Sequence, residues 1–121
     1  MHKEKFLHYL LHEKRYSRHT IKSYETDLQQ FVLFLADEFQ VSSAKKVNFQ
    51  LVRSWIASLL NNNISPRSVN RKITTLKTFF RFLINEDVIS ISPMQKIIGP
   101  KTPKKLAVFV EEIKMDDLFN K

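Results

Sequence analysis

An all-α fold, a compact bundle of four or five helices followed by an extended C-terminal linker, is predicted by three observations. One glycine and four prolines stand in 121 residues, too little turn-forming material for the hairpins of a β-sandwich or barrel. Apolar residues recur at helical spacing over four successive stretches. Three of those stretches follow a Ser or Asn in an N-cap position. Hydrophobic residues make up 43% of the chain and ten are Phe, enough to core a single domain of this length.

The first helix is expected from about His2 to Lys14, with Phe6, Leu7, Tyr9, Leu10 and Leu11 as a broad apolar side. Ser17 caps the second, which carries Ile21, Tyr24, Leu28, Phe31, Val32 and Leu35 as one stripe and runs to about Glu38. The third begins near Asn48, turns Val52, Trp55, Ile56, Leu59 and Leu60 to the core, and stops at Asn61, Asn62 and Asn63. The fourth has the clearest start. Ser65 is the cap, and Pro66 falls in the first turn, where its missing N–H costs nothing. It should end near Asn85.

Beyond it, Ser90, Ser92, Pro93, Gly99, Pro100 and Pro103 favour irregular or extended backbone. Lys101 to Lys105 reads as a basic linker, Leu106 to Val110 as a short extended segment, and Glu111 to Asn120 as the start of another helix. The expected division is a helical domain over residues 1–95, a linker over 96–110, and the first residues of a further domain over 111–121. The chain thus reads as one part of a longer protein.

Composition excludes several functions. Phosphate-cradling loops need two or three neighbouring glycines. Without cysteine there is no disulfide framework, Cys-ligated zinc or thiol nucleophile. His8 and His12 have the spacing of a helical zinc site but no convincing third ligand. The acid pairs Asp37-Glu38, Glu86-Asp87, Glu111-Glu112 and Asp116-Asp117 are sequence neighbours, which diverge on a helix and make poor acid–base dyads. Tyr9, Tyr16, Tyr24 and Trp55 read as core. No catalytic residue, metal or cofactor is expected. The N-terminus lacks the apolar region of a signal peptide, and the longest apolar run, Phe31 to Ala36, is too short to span a bilayer. A cytosolic chain without a membrane partner is expected.

The net charge of +8 points to a polyanion, and its distribution is more telling. Residues 39–85 hold eight Lys and Arg and no carboxylate, whereas an ordinary solvated surface mixes both signs. With Arg67 at zero on the fourth helix, Arg71, Thr78, Thr74, Arg81, Asn70 and Lys77 all fall within an arc of roughly 120°. Val69, Ile73, Leu76, Phe79, Phe80, Leu83 and Ile84 take the opposite arc. Lys72 inside the apolar arc and Phe82 near the polar edge are exceptions. An acid-free face of Arg, Lys, Thr and Asn supplies the side chains that bond phosphates and base edges, on an element that fits the major groove. On the second helix Arg18, Lys22, Thr26 and Gln29 share one side, with His19 and Ser23 adjacent, and Ser17 at the helix start suits either simple capping or a phosphate. Three readings stay open: a DNA-binding part of a larger enzyme, a free-standing helical DNA-binding regulator, and a basic protein-interaction or membrane-surface module.

Two strings carry a family resemblance: Tyr16-Ser-Arg-His-Thr-Ile-Lys-Ser-Tyr24 followed by Asp27-Leu28 and Phe31 to Leu35, and Ser68-Val-Asn-Arg-Lys-Ile-Thr-Thr-Leu-Lys-Thr-Phe-Phe-Arg-Phe-Leu83 followed by Pro93 and the Pro100 to Val110 linker. In this order they resemble the N-terminal core-binding (SAM-like) domain of tyrosine recombinases, the phage integrase and Xer-type group. The resemblance implies a helical bundle forming half of a clamp on double-stranded DNA at a crossover site. It implies contacts from Ser17, Arg18, His19, Thr20 and Lys22, from Arg67, Asn70, Arg71, Thr74, Lys77, Thr78 and Arg81, and from the linker lysines Lys101, Lys104 and Lys105. It places the chemistry in a C-terminal domain of the same parent chain, around a nucleophilic tyrosine, so that this chain would bind DNA without cutting it. It also implies other recombinase protomers as partners on DNA, with the fragment alone expected to be a monomer. Two positions depart from the family pattern. Glu25 replaces a frequent basic residue and weakens the second-helix patch, and Ala107 stands where a Leu-Pro pair is common.

Overall fold

The computed structural model describes residues 2–100. They form an all-α bundle: α1 (Lys3–His12), α2 (Arg18–Phe39), α3 (Phe49–Asn61) and α4 (Pro66–Asn85), with a three-residue 3-10 turn (Ala44–Lys46) between α2 and α3. α2 packs against α1, α3 and α4, and α3 packs against α4. No helix among the described residues is long and apolar enough to cross a membrane.

The three expected N-caps are all made. The Ser17 hydroxyl accepts from the Thr20 amide at 3.2 Å, the Asn48 side chain from the Leu51 amide at 2.9 Å, and the Ser65 hydroxyl from the Ser68 amide at 3.2 Å. Each satisfies an amide that the first turn would otherwise leave unpaired. α1 stops at His12 rather than Lys14. The 3-10 turn was not expected, because three residues offer no repeating apolar spacing to read. Its signal is local: Ser43 accepts from the Lys45 amide at 3.3 Å, while Ala44 is buried.

The helix C-termini share one solution. Arg15, Gln40, Asn63 and Asp87 adopt left-handed backbone, with φ of 55°, 53°, 65° and 60°. In each case the next residue turns its amide back to a leucine carbonyl of the last turn. Tyr16 donates to Leu10 at 3.1 Å, Val41 to Leu35 at 3.1 Å, Ile64 to Leu59 at 3.0 Å and Val88 to Leu83 at 2.9 Å. All four donors are also apolar residues packed on the core. This is the helix-stop geometry that glycine usually provides. Here Asn and Asp tolerate it by residue type, whereas Arg15 and Gln40 adopt it at a cost of about 1 kcal/mol each.

The core is aromatic and centred on α4. The Phe6 ring of α1 meets Phe79 at 5.2 Å and Phe82 at 5.5 Å, while Phe31 of α2 meets Trp55 of α3 at 5.0 Å and Phe80 at 6.3 Å. The consecutive Phe79 and Phe80 therefore point to different neighbours, Phe79 toward α1 and Phe80 toward α2. Trp55 is buried, as the sequence predicts, while Tyr9, Tyr16 and Tyr24 are half-buried at its edge. After α4 the chain stays on the bundle, with Met94 and Ile97 buried in the core.

Candidate nucleic-acid interface

The outward face of α4 follows the wheel. Arg67, Arg71, Thr74, Lys77 and Arg81 are exposed, and Asn70 and Thr78 are half-buried. The two exceptions have packing explanations. Phe82 is buried because α1 covers that edge, its ring 5.0 Å from Tyr9. Lys72 is buried because it has a partner there, Asp27 of α2.

Asp27 organises the seam between α2 and α4. Its side chain is 1% exposed. One carboxylate oxygen, Oδ1, accepts from Arg71 Nη2 at 2.8 Å and from Lys72 Nζ at 2.9 Å. The other, Oδ2, accepts from the Thr75 hydroxyl at 3.0 Å. Lys72 donates in addition to Gln30 Oε1 at 2.7 Å. A buried carboxylate is tolerable only when its lone pairs are this fully occupied. Arg71 is the member that reaches outward, its side chain 52% exposed.

The α2–α4 contacts run antiparallel. Gln30 meets Lys72, Asp27 meets Arg71 and Thr75, and Tyr24 faces the Thr78 hydroxyl. The Ser17 end of α2 therefore lies beside the C-terminal half of α4. A cleft of about 400 Å³ between α4 and the α1–α2 connection is lined by Lys14, Tyr16, Lys77, Thr78, Arg81 and Asn85, among others. Sequence reasoning passed over Lys14 and Asn85, which only the fold brings to this place. Burial holds the Tyr24 phenol above its ordinary pKa, with Thr78 pulling the other way.

Residues proposed on α2 divide into two groups. His19 is exposed and Thr20 half-buried. At helical spacing, His19 and Ser23 lie within about 80° of Asp27, on the flank next to the α4 face. Arg18 and Lys22 are exposed as well, but lie roughly 140–180° round the helix from Asp27. Lys22 also sits 3.9 Å from Glu25, the acid that departs from the family pattern. The Ser17 hydroxyl accepts from the Thr20 amide and donates to the Thr20 hydroxyl at 3.0 Å.

On α4, the Thr74 hydroxyl donates to the Asn70 carbonyl at 3.1 Å and the Thr78 hydroxyl to the Thr74 carbonyl at 3.0 Å. Asn70 donates to the Pro100 carbonyl at 2.9 Å. A Cβ on Gly99 would collide with the Asn70 carboxamide, so glycine is what lets the chain pass this close over α4. The expected linker contacts Lys101, Lys104 and Lys105, and the segments beyond them, lie outside the described residues.

Comparison with known proteins agrees with this architecture. The family described as phage integrase, N-terminal SAM-like domain, matches residues 4–87. The chain is 35% identical over 115 residues to a tyrosine recombinase XerC of Staphylococcus saprophyticus, covering 95% of this chain and 38% of that protein. It is 39% identical over 114 residues to a tyrosine recombinase XerC of Oceanobacillus iheyensis, covering 94% and 37%. A third, from Staphylococcus aureus, is 37% identical over 116 residues, covering 96% and 38%. The chain thus spans under two-fifths of the length of these curated relatives. No solved structure matches it. With the family's domain matched over most of its helices, the chain belongs to the tyrosine recombinase and phage integrase family, as its N-terminal SAM-like domain.

Proposed function

We propose that this domain grips duplex DNA at a recombination crossover site, with the exposed face of α4 in the major groove. The cutting and rejoining of strands, through a phosphotyrosine intermediate, would belong to a catalytic domain further along the parent chain. The reading is carried by one observation: α4 exposes Arg67, Arg71, Lys77 and Arg81 on a face with no acid between Pro66 and Asn85. Duplex DNA is the polyanion that an α-helix with this face fits.

Arg18, Lys22, Arg67, Lys77 and Arg81 are the phosphate contacts in this reading. Asn70, Thr74 and Thr78 lie against the groove, with the α2 start at Ser17, His19 and Thr20 alongside. The relatives named as tyrosine recombinases support a role in DNA recombination for the whole protein; in the same proposal the whole protein works with other protomers on DNA and the isolated domain is a monomer.

Titration of a duplex into the 121-residue chain at several salt concentrations tests this. Five phosphate contacts give a log–log slope near −4.5, a loss of about 500-fold in affinity between about 50 and about 200 mM salt. Arg81→Ala should reduce the slope by about 0.9, whereas Lys45→Ala, in the 3-10 turn, should leave it unchanged. A flat salt response, or equal effects from the two variants, rules out a docked α4.

A further inference from the structure

We propose that Arg71 reads a guanine in the major groove, and that Asp27 is the positioning residue that aims it. The inference rests on the DNA-binding reading above and assigns one side chain within it a task distinct from phosphate contact.

Arg71 differs from its neighbours on the face. Among the described residues, Arg67, Lys77 and Arg81 have no acid within ion-pair distance, while Arg71 has Asp27 at 2.8 Å. The anchor is buried and bonded on both oxygens: Asp27 is 1% exposed and accepts from Lys72 and from Thr75, and Lys72 is held in turn by Gln30. A guanidinium has five N–H donors in a rigid fork. One nitrogen, Nη2, bonds the carboxylate, which restricts where the guanidinium sits and leaves its other N–H groups free on a side chain 52% exposed. The rotamer entropy of a long side chain is thereby surrendered in folding rather than on binding.

That arrangement suits a base edge better than a phosphate. Phosphate contact draws on uncompensated charge and counterion release, and tolerates a flexible reach. Arg71 shares its charge with a carboxylate and has little freedom to move. Guanine presents O6 and N7 side by side as two acceptors, which a planar, pre-aimed fork matches. The position agrees as well. Arg71 sits at the seam where the α2 flank carrying His19 and Ser23 meets the α4 face, the middle of the combined surface. Lys77 and Arg81 reach the cleft toward the α2 start.

The test is selection of duplexes by the 121-residue chain from a pool with a randomised interior. It is followed by competition binding against duplexes in which single G·C pairs are exchanged for A·T. The wild type should discriminate at one G·C pair by roughly 5- to 150-fold. Arg71→Ala, Arg71→Lys and Asp27→Asn should each lose that discrimination at that pair alone, with the salt slope unchanged. Lys77→Ala should keep the discrimination and lower the slope by about 0.9. Arg71 is exposed, so its variants remain informative if Asp27→Asn does not fold.

If Arg71→Ala weakens all duplexes equally and lowers the slope by about one contact, Arg71 is a phosphate ligand and the proposal fails. If folded Asp27→Asn keeps full discrimination, Asp27 does not aim the fork. A wild type that binds duplexes without preference overturns this inference alone, whereas one that binds no duplex overturns the DNA-binding reading with it.

Discussion

Lys72 of α4 and Asp27 of α2 form a buried ion pair, their side chains 7% and 1% exposed and the charged atoms 2.9 Å apart. The pair stands beside a core of Phe, Leu, Val, Ile, Trp, Ala and Met, with Thr75 the one other buried polar residue among the described residues. Gln30 and Thr75 occupy further hydrogen-bonding positions of its two members, so the pair also fixes how α2 sits against α4.

Removing one member should therefore cost more than the pair is worth. Asp27→Ala leaves the Lys72 ammonium buried and uncompensated, with an expected loss of about 3–5 kcal/mol. Lys72→Met removes a charge but leaves Asp27 its bond from Arg71, so it should cost less. Urea unfolding of both variants measures this. A smaller loss for Asp27→Ala than for Lys72→Met would contradict it.

Alkaline pH should destabilise the domain through Tyr24. Burial raises the folded pKa of its phenol above the unfolded value. Below about pH 10 the phenol is neutral in both states and the fold keeps its full stability. As pH rises further the unfolded chain loses its proton first, so stability falls until the folded phenol ionises too. The thermal midpoint should thus drop more steeply above about pH 10 in the wild type than in Tyr24→Phe. Parallel curves would show that the Tyr24 proton is not linked to folding.

The left-handed stop of α2 stores removable strain. Gln40 has a φ of 53°, and glycine reaches that region without a Cβ clash. Gln40→Gly should raise stability by about 0.5–1 kcal/mol, after the greater chain entropy of glycine is offset. The same change at Asn63, φ 65°, should gain less because asparagine tolerates this backbone. Chemical denaturation of the two variants side by side decides the ordering.

The fold is largely legible in the sequence, for particular reasons. Ser17, Asn48 and Ser65 announced three helix starts because capping is a local event within four residues. Leu28, Phe31 and Leu35 announced a buried stripe because helical geometry alone puts them on one side. The 3-10 turn at Ala44–Lys46 and the early end of α1 were not legible, since neither has a periodic signal. Arg67, Thr74, Lys77 and Arg81 are exposed together as the wheel placed them. Lys72 stands out on the wheel as a misfit without an explanation, and nothing near Asp27 in the sequence marks it as the partner.

What the sequence alone determined is the set of helices, the acid-free run that includes α4, and the family resemblance. All of these depend on residues close together in the chain or in fixed order along it. Tertiary structure decided which cations are free and which are held. Asp27 and Arg71 are 44 residues apart, and only the antiparallel packing of α2 on α4 brings them to 2.8 Å. That packing turns Arg71 from one basic residue among eight into an anchored fork, buries Lys72 beside it, and sets Lys14 in the cleft with Lys77 and Arg81. Periodicity reports the direction of a side chain from its own helix axis. The partner it meets there depends on how a second helix, distant in sequence, is docked against it.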